Sequence, residues 1–383
     1  MFFSFSSLLS VIVLSSLLIV IISLYLRDIE RMIHIGIGSL FIFIGIITVR
    51  LIFPFEFTFS NSFASRRIMP TILSTLNTPI INAFNRGFTL LNLLLFIWGV
   101  GIVITTVITI KTHLHFRQVI KQLPALCDSK INEMLHTITQ DYKKLVSFQI
   151  ISSSLISTPV LYGFYNPKII LPAMDLTDEE WHFILKHEVI HFYNRDLQIK
   201  MFIQLLRIIY WWNPFVHLLN HQVDKILEIR TDLEVTKNMT EDKKISYLDC
   251  LLKVAKNLSS QGDPYYLVAF DNGMSSLLSQ RFHLILKAYN PSNSSSLKTI
   301  LMAIPLILLL YFSFITVFEP YSISPEDASY TIELTTTNSY LVENQGGGYD
   351  LYFNDDFFGN VTSIKDSYSN LTIYKNIEEA PKK

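Results

Sequence analysis

Charge is scarce in this chain. Only 16% of its 383 residues are Asp, Glu, Lys or Arg, whereas 50% are hydrophobic and the mean hydropathy is +0.35. A typical soluble domain carries about 25% charged residues, so the composition argues against an ordinary soluble enzyme and for a membrane protein. Net charge is missing too: the formal value is -1 at pH 7, which gives no basis for direct nucleic-acid binding. Cysteine is nearly absent. Cys127 and Cys250 stand far apart with no C-x-x-C spacing, which excludes a disulfide framework and a cysteine zinc site. Both are expected to be packed thiols in a reducing compartment.

What the chain has in excess is long apolar runs. Four are long enough to cross about 30 Å of hydrocarbon, which takes roughly 20 helical residues: about 2-26, 33-54, 87-110 and 299-318. The first has no basic leader and no small-residue cleavage site, so it reads as an anchor. Arg27 and Arg31 follow the first run, and Lys111, Arg117, Lys121, Lys287 and Lys298 flank the segment between the third and fourth. Basic flanks mark the cytoplasmic side. That places the amino terminus, the loop 55-86 and the tail 319-383 outside, although Arg66, Arg67 and Arg86 run against the rule. The tail fits, with eleven acidic residues against four lysines.

Segment 111-298 is the one stretch long enough for a domain with its own core. A helix runs to about 122, a second opens at Asp128 or Ser129, and extended pieces follow (FQIISS, PVLYGF, PKIILP). That order predicts a small sheet ahead of the next helix, an α+β arrangement. The next helix opens with a capping box, Thr177 and Glu180, stapled by Leu176 and Trp181. It contains LKHEVIHFYNRD, in which His187 and His191 lie four apart with Glu188 after the first. Positions four apart share a helix face, so both imidazoles reach one point. The chain's histidine and glutamate frequencies give roughly 0.01 chance matches to H-E-x-x-H, the pattern in which two histidines hold zinc beside a glutamate base. A third ligand is still needed. A helix starting after Asn213-Pro214 carries His217, His221, Asp224, Glu228 and Asp232 at steps of four, three, four and four. They form one polar stripe, and spacing alone does not choose among the five.

HEVIHFYNRD, WWNPFVH and EIRTD, with STPVLYGFYNPKIILP upstream and SSLLSQRFHLILK downstream, resemble the BlaR/MecR type of integral-membrane zinc metallopeptidase over about 1-318. The resemblance implies a mainly α membrane protein. Three transmembrane helices lie in 1-110, an α+β gluzincin-like peptidase domain in 111-298 faces the cytoplasm, a fourth helix follows at 299-318, and a small β-rich extracellular tail occupies 319-383. It implies one zinc per chain on His187, His191 and Glu228, with Glu188 as general base and Asp232 orienting a zinc-binding histidine. Arg195 and Asp196 match the family's R-D pair, for which a helix cap or ion pair is a sufficient role. His217 and His221 are candidates for stabilising the oxyanion of the transition state. The implied function is an endopeptidase of the bacterial cell membrane that transduces an outside signal by cutting a cytoplasmic protein, either a winged-helix DNA-binding repressor or itself. Residues 265-273 (YYLVAFDNG) are a candidate scissile stretch. An extracellular ligand or envelope partner at the tail and a homodimer complete the expected partners. The tail carries no S-x-x-K motif, so covalent β-lactam sensing is not expected of it. Two rival readings are a housekeeping membrane protease of the CAAX-processing or heat-shock type and a non-catalytic zinc-containing transducer.

Overall fold

The computed structural model describes residues 4–83, 86–124, 126, 128–154, 156–260, 275–287, 296–321, 334–344, 347–361, 364, 368 and 371–379. Cys127 and the stretch 265-273 lie outside the described residues. The chain separates into two compact units, Met1–Pro320 and Tyr321–Lys383.

The first unit opens with α1 (Phe5–Arg27), α2 (Ile29–Ile35) and α3 (Ile37–Ile52). α1 starts at Ser4, which exchanges capping hydrogen bonds with Ser7. The second apolar run is therefore two helices rather than one: Gly36 adopts φ +83°, a left-handed geometry that interrupts the helix and that glycine tolerates without strain. Segment 55-86 is ordered as β1 (Asn61–Ser65), α4 (Ile68–Asn77) and the hairpin β2 (Pro79–Ala83) with β3 (Arg86–Thr89). Because 86–89 pairs as a strand, the third apolar helix α5 begins at Leu90, not 87, capped by Thr89. It continues unbroken to Gln122, so the helix expected after the third run is its own extension. α1 and α5 are long and apolar enough to cross a membrane; α3 and the stretch Ala303–Ile315 are apolar but shorter.

The soluble-looking part follows the expected order: α6 (Ser129–Gln140) capped by Asp128, then strands β4 (Gln149–Ser153), β5 (Val160–Tyr162) and β6 (Lys168–Pro172). β6 is central, parallel to β4 and antiparallel to β5, which leaves β5 on an edge. Next come α7 (Asp178–Tyr193), α8 (Asp196–Ile209), α9 (Pro214–Thr236), α10 (Glu241–Ser260), α11 (Ser275–Leu286) and α12 (Ser296–Ile315). The fourth apolar run stops as a helix at Ile315, because Thr316–Pro320 forms β7 and pairs in parallel with β1.

Besides one smaller cluster, two large apolar cores lie in this unit. One joins α6, the sheet, α7 and α10 through Leu135, Ile169, Leu185, Val189 and Tyr247. The other is shared between α1, α3, α8 and α9, with Ile22, Leu26, Ile47, Leu206, Val223 and Ile226 among its buried residues. At its far end the α8–α9 hairpin reaches α3, where the Tyr210 hydroxyl donates to the Leu51 carbonyl at 2.9 Å. α5 meets the sheet through Ile120, buried against Ile151 and Ile170, and meets the hairpin through two tryptophans. Trp98 donates to the Ile209 carbonyl (2.8 Å) and Trp211 to the Trp98 carbonyl (3.2 Å). The second unit is a four-stranded sheet in the order β10-β9-β8-β11, built from Ser339–Glu343 (β8), Tyr349–Phe353 (β9), Asp356–Val361 (β10) and Thr372–Tyr374 (β11). It is a β-rich tail packed on Leu341, Leu351 and Leu371.

Candidate metal centre

α7 owes its start to the Thr177–Glu180 box, in which both capping hydrogen bonds form. Glu180 is fixed further by Lys253 of α10 at 2.9 Å. From that start, His187, Glu188 and His191 fall on buried turns, 7–8% exposed. α9 starts at Asn213, whose side chain accepts from the Phe215 N–H, with Pro214 in the first helical position.

The two helices cross so that one residue of the α9 stripe faces the histidines. The Nε2 atoms of His187 and His191 are 3.0 Å apart. Glu228 presents Oε2 at 3.4 Å from His187 Nε2 and Oε1 at 3.6 Å from His191 Nε2. These donor atoms all lie within 4.8 Å of one another. The stripe itself runs from solvent to core: His217 and His221 are exposed, Asp224 and Glu228 half-buried, and Asp232 is 1% exposed. His217 bonds the Trp211 carbonyl at the far end of the hairpin (2.9 Å). It lies eleven residues from Glu228, or about 16 Å along the axis at 1.5 Å per residue. Neither His217 nor His221 lines the cavity at the site.

Each imidazole is held from behind. Asp196, the first residue of α8, takes His191 Nδ1 at 2.6 Å and is itself bound by Arg230 of α9. A carboxylate engaged by a guanidinium only accepts, so Nδ1 of His191 carries the proton and its Nε2 lone pair points at the site. Arg195, by contrast, occupies the cap with left-handed backbone (φ 60°), and its side chain makes no capping bond. Asp232 does not reach His187 directly; its nearest oxygen is 3.5 Å from Nδ1. The Tyr247 hydroxyl of α10 lies between them, 2.9 Å from His187 Nδ1 and 2.7 Å from Asp232 Oδ1. Arg281 of α11 clamps Asp232 through Nε and Nη2 (2.5 and 2.8 Å) and stands 3.7 Å from Glu228.

Electrostatics follow from this packing. Burial alone raises the pKa of Glu228, but the close approach of His187, His191 and the Arg281 guanidinium outweighs it and holds the carboxyl well below its ordinary value. Burial works against a charge on Arg281, yet Asp232 and Glu228 more than offset it. Tyr247 is pushed well above the ordinary phenol value by burial and then by Asp232. For His191 burial favours the neutral ring, while Asp196 and Glu228 win and raise its pKa. A proton and a metal ion therefore compete for the same Nε2.

Two imidazole lone pairs and an ionised carboxylate aimed at one point are the donor set of a catalytic zinc with one position left open. The residues fit that ion. Beside them is a cavity of about 370 Å³ whose walls include Thr158, Val160, Leu161, Glu188, Lys200 and Arg281. The sequence analysis passed over Tyr247, Arg281, Arg230 and Lys200 as site residues; Arg230 stands inside the EIRTD motif, while Tyr247, Arg281 and Lys200 lie in helices with no motif of their own.

Several known proteins are similar to this chain. The chain is 27% identical to the regulatory protein BlaR1 of Bacillus licheniformis over 159 residues, 41% of this chain and 26% of that protein. It is 26% identical to the methicillin resistance mecR1 protein of Staphylococcus aureus (strain Mu50 / ATCC 700699) over 246 residues, 57% of this chain and 40% of that one. It is 24% identical to the regulatory protein BlaR1 of Staphylococcus aureus over 217 residues, 56% and 37% of the respective chains. The matches thus span between a quarter and two-fifths of these relatives' lengths. The family profile described as BlaR1 peptidase M56 matches residues 6–285. The chain belongs to this family of membrane-associated metallopeptidases.

Proposed function

We propose that this chain is a zinc endopeptidase of the cell membrane that turns an outside signal into proteolysis on the cytoplasmic side. The convergence of His187, His191 and Glu228 within 4.8 Å carries the reading. Zinc held there supplies Lewis acidity to a peptide carbonyl and lowers the pKa of a water molecule. Glu188, in the wall of the same cavity, takes the proton from that water and returns it to the leaving nitrogen. Lys200 and Arg281, both lining the cavity, place positive charge where the carbonyl oxygen becomes negative. An extended substrate adds to the edge strand β5, whose neighbours Thr158 and Pro159 line the cavity.

The remaining assignments rest on the basic flanks and on the relatives. Four helices cross the bilayer, with both termini outside and the peptidase site inside. The substrate is a cytoplasmic repressor or a second site on this chain, the tail unit meets an extracellular ligand or envelope partner, and the chain works as a homodimer. The names of the relatives, a regulatory protein and a methicillin resistance protein, support a signalling role over a housekeeping one. Glu188→Gln tests the chemistry: zinc stays bound at one per chain and proteolysis is lost. Signalling that persists in Glu188→Gln would instead make the domain a non-catalytic transducer.

A further inference from the structure

We propose that Tyr247 is a positioning residue of this site, the element that fixes which nitrogen of His187 faces the metal. The inference rests on the zinc reading above and deepens it. In the resemblance Asp232 has that task, but in this fold the aspartate stands 3.5 Å from His187 Nδ1, beyond a hydrogen bond. The phenol fills the gap with two good distances, 2.9 Å to His187 and 2.7 Å to Asp232.

The direction of each bond is forced from one end. Arg281 has only donors, and it binds both oxygens of Asp232, so Asp232 is an acceptor. The Tyr247 O–H therefore donates to Asp232. Its oxygen is left with lone pairs alone, and those accept from His187 Nδ1–H. A neutral ring protonated at Nδ1 has its free lone pair on Nε2, the atom 3.0 Å from His191 Nε2 and 3.4 Å from Glu228. Arg281, Asp232, Tyr247 and His187 form a one-way chain that starts on α11 and ends at the metal position. Tyr247 is 1% exposed and its ring meets Phe183 edge-on at 5.5 Å, so the ring that carries the hydroxyl is held in place by packing.

The two histidines are consequently unequal. His191 leans on a carboxylate at 2.6 Å, whereas His187 leans on a neutral phenol. A carboxylate partner makes an imidazole a stronger donor to a metal than a phenol does. The structure thus assigns His191 to anchoring and leaves His187 the weaker donor, made competent by Tyr247.

The test uses the full chain in detergent, zinc-free at pH 8, labelled with ¹⁵N-histidine. The His187 resonances are assigned by their loss in His187→Gln. Wild type should show His187 protonated on Nδ1, and Tyr247→Phe should shift it to a mixture of tautomers. Zinc affinity of Tyr247→Phe, measured by chelator competition, should fall by about 10–100-fold. A wild-type His187 protonated on Nε2 overturns the proposal, as does a folded Tyr247→Phe that binds zinc within twofold of wild type. The wild-type spectrum decides even where the variant fails to fold. Wild type that binds no zinc while holding the Nδ1 tautomer would sink the zinc reading and leave the relay standing.

Discussion

Removing the Asp196 carboxylate separates the two halves of the R-D pair that follows the zinc motif. Asp196→Ala deletes the acceptor at 2.6 Å from His191 Nδ1 and the partner of Arg230, at a position 2% exposed. Loss of such an outer partner weakens metal binding by about 10–100-fold, or about 1.4–2.8 kcal/mol. A second effect falls on the fold. Breaking a buried ion pair costs about 3–5 kcal/mol, but the Arg230 side chain is 26% exposed and its guanidinium lies over the Phe41 ring at 4.7 Å. The guanidinium keeps the Phe41 ring as a partner and is not fully enclosed, so the low end, about 3 kcal/mol, applies. Chelator competition on the solubilised chain reads the first quantity, and thermal unfolding of zinc-free protein reads the second. Arg195→Ala is the control and should stay within about 0.5 kcal/mol. Arg195→Gly should stabilise slightly, since the left-handed backbone at φ 60° suits glycine. An Asp196→Ala protein with zinc affinity within twofold of wild type would refute the assignment of Asp196 as the support of His191.

Other outcomes follow from the same geometry. Glu228→Ala should lower zinc affinity by more than about 100-fold, beyond the range for outer partners, while His221→Ala leaves it unchanged; equal losses would move the third ligand along the α9 stripe. Gly101→Ala drives a methyl group into the Trp211 ring, whereas Gly99→Ala meets nothing within 4 Å. The first should cost about 1–3 kcal/mol and shift tryptophan fluorescence, and the second should do neither. The Glu180 carboxyl is raised by burial but lowered more by Lys253 and Thr177, ending below its ordinary 4.5. A depressed folded value stabilises above the unfolded value and is lost as pH falls through the folded one. Thermal stability of wild type should therefore exceed that of Glu180→Gln at pH 6 and converge with it below pH 4.5.

Local signals were readable from the residues and long-range ones were not. The Thr177–Glu180 box, the Asp128 cap and the Asn213-Pro214 start are formed within a few residues of chain, and all three open their helices where expected. The third ligand was different. Five ionisable residues share the α9 stripe, and the choice of Glu228 depends on how α7 crosses α9, a fact no single helix contains. Tyr247 and Arg281 lie 60 and 49 residues from their partners His187 and Asp232, so nothing local announces them. The interruption at Gly36 was hidden because isoleucine flanks the glycine on both sides and hydropathy hardly changes there. Likewise the early end of the fourth helix, at Ile315, reflects β7 pairing with β1, a partner over 250 residues upstream.

The helices that carry the site are fastened to the first helix of the chain. At the end of α1, Lys225 of α9 donates to the Leu26 carbonyl, Gln280 of α11 to the Arg27 carbonyl (3.1 Å), and Gln222 to Ser23 (3.2 Å). Glu228 is three residues from Lys225, and Arg281 adjoins Gln280. An expression fragment confined to 111-298 would lack these acceptors and the α1 and α3 side of the core, exposing Val216, Val223 and Ile226. Ribosomal synthesis delivers α1 before α9, so the site is completed on a scaffold laid down some 200 residues earlier. Loss of α1 should therefore disable the peptidase even with every metal-binding residue intact.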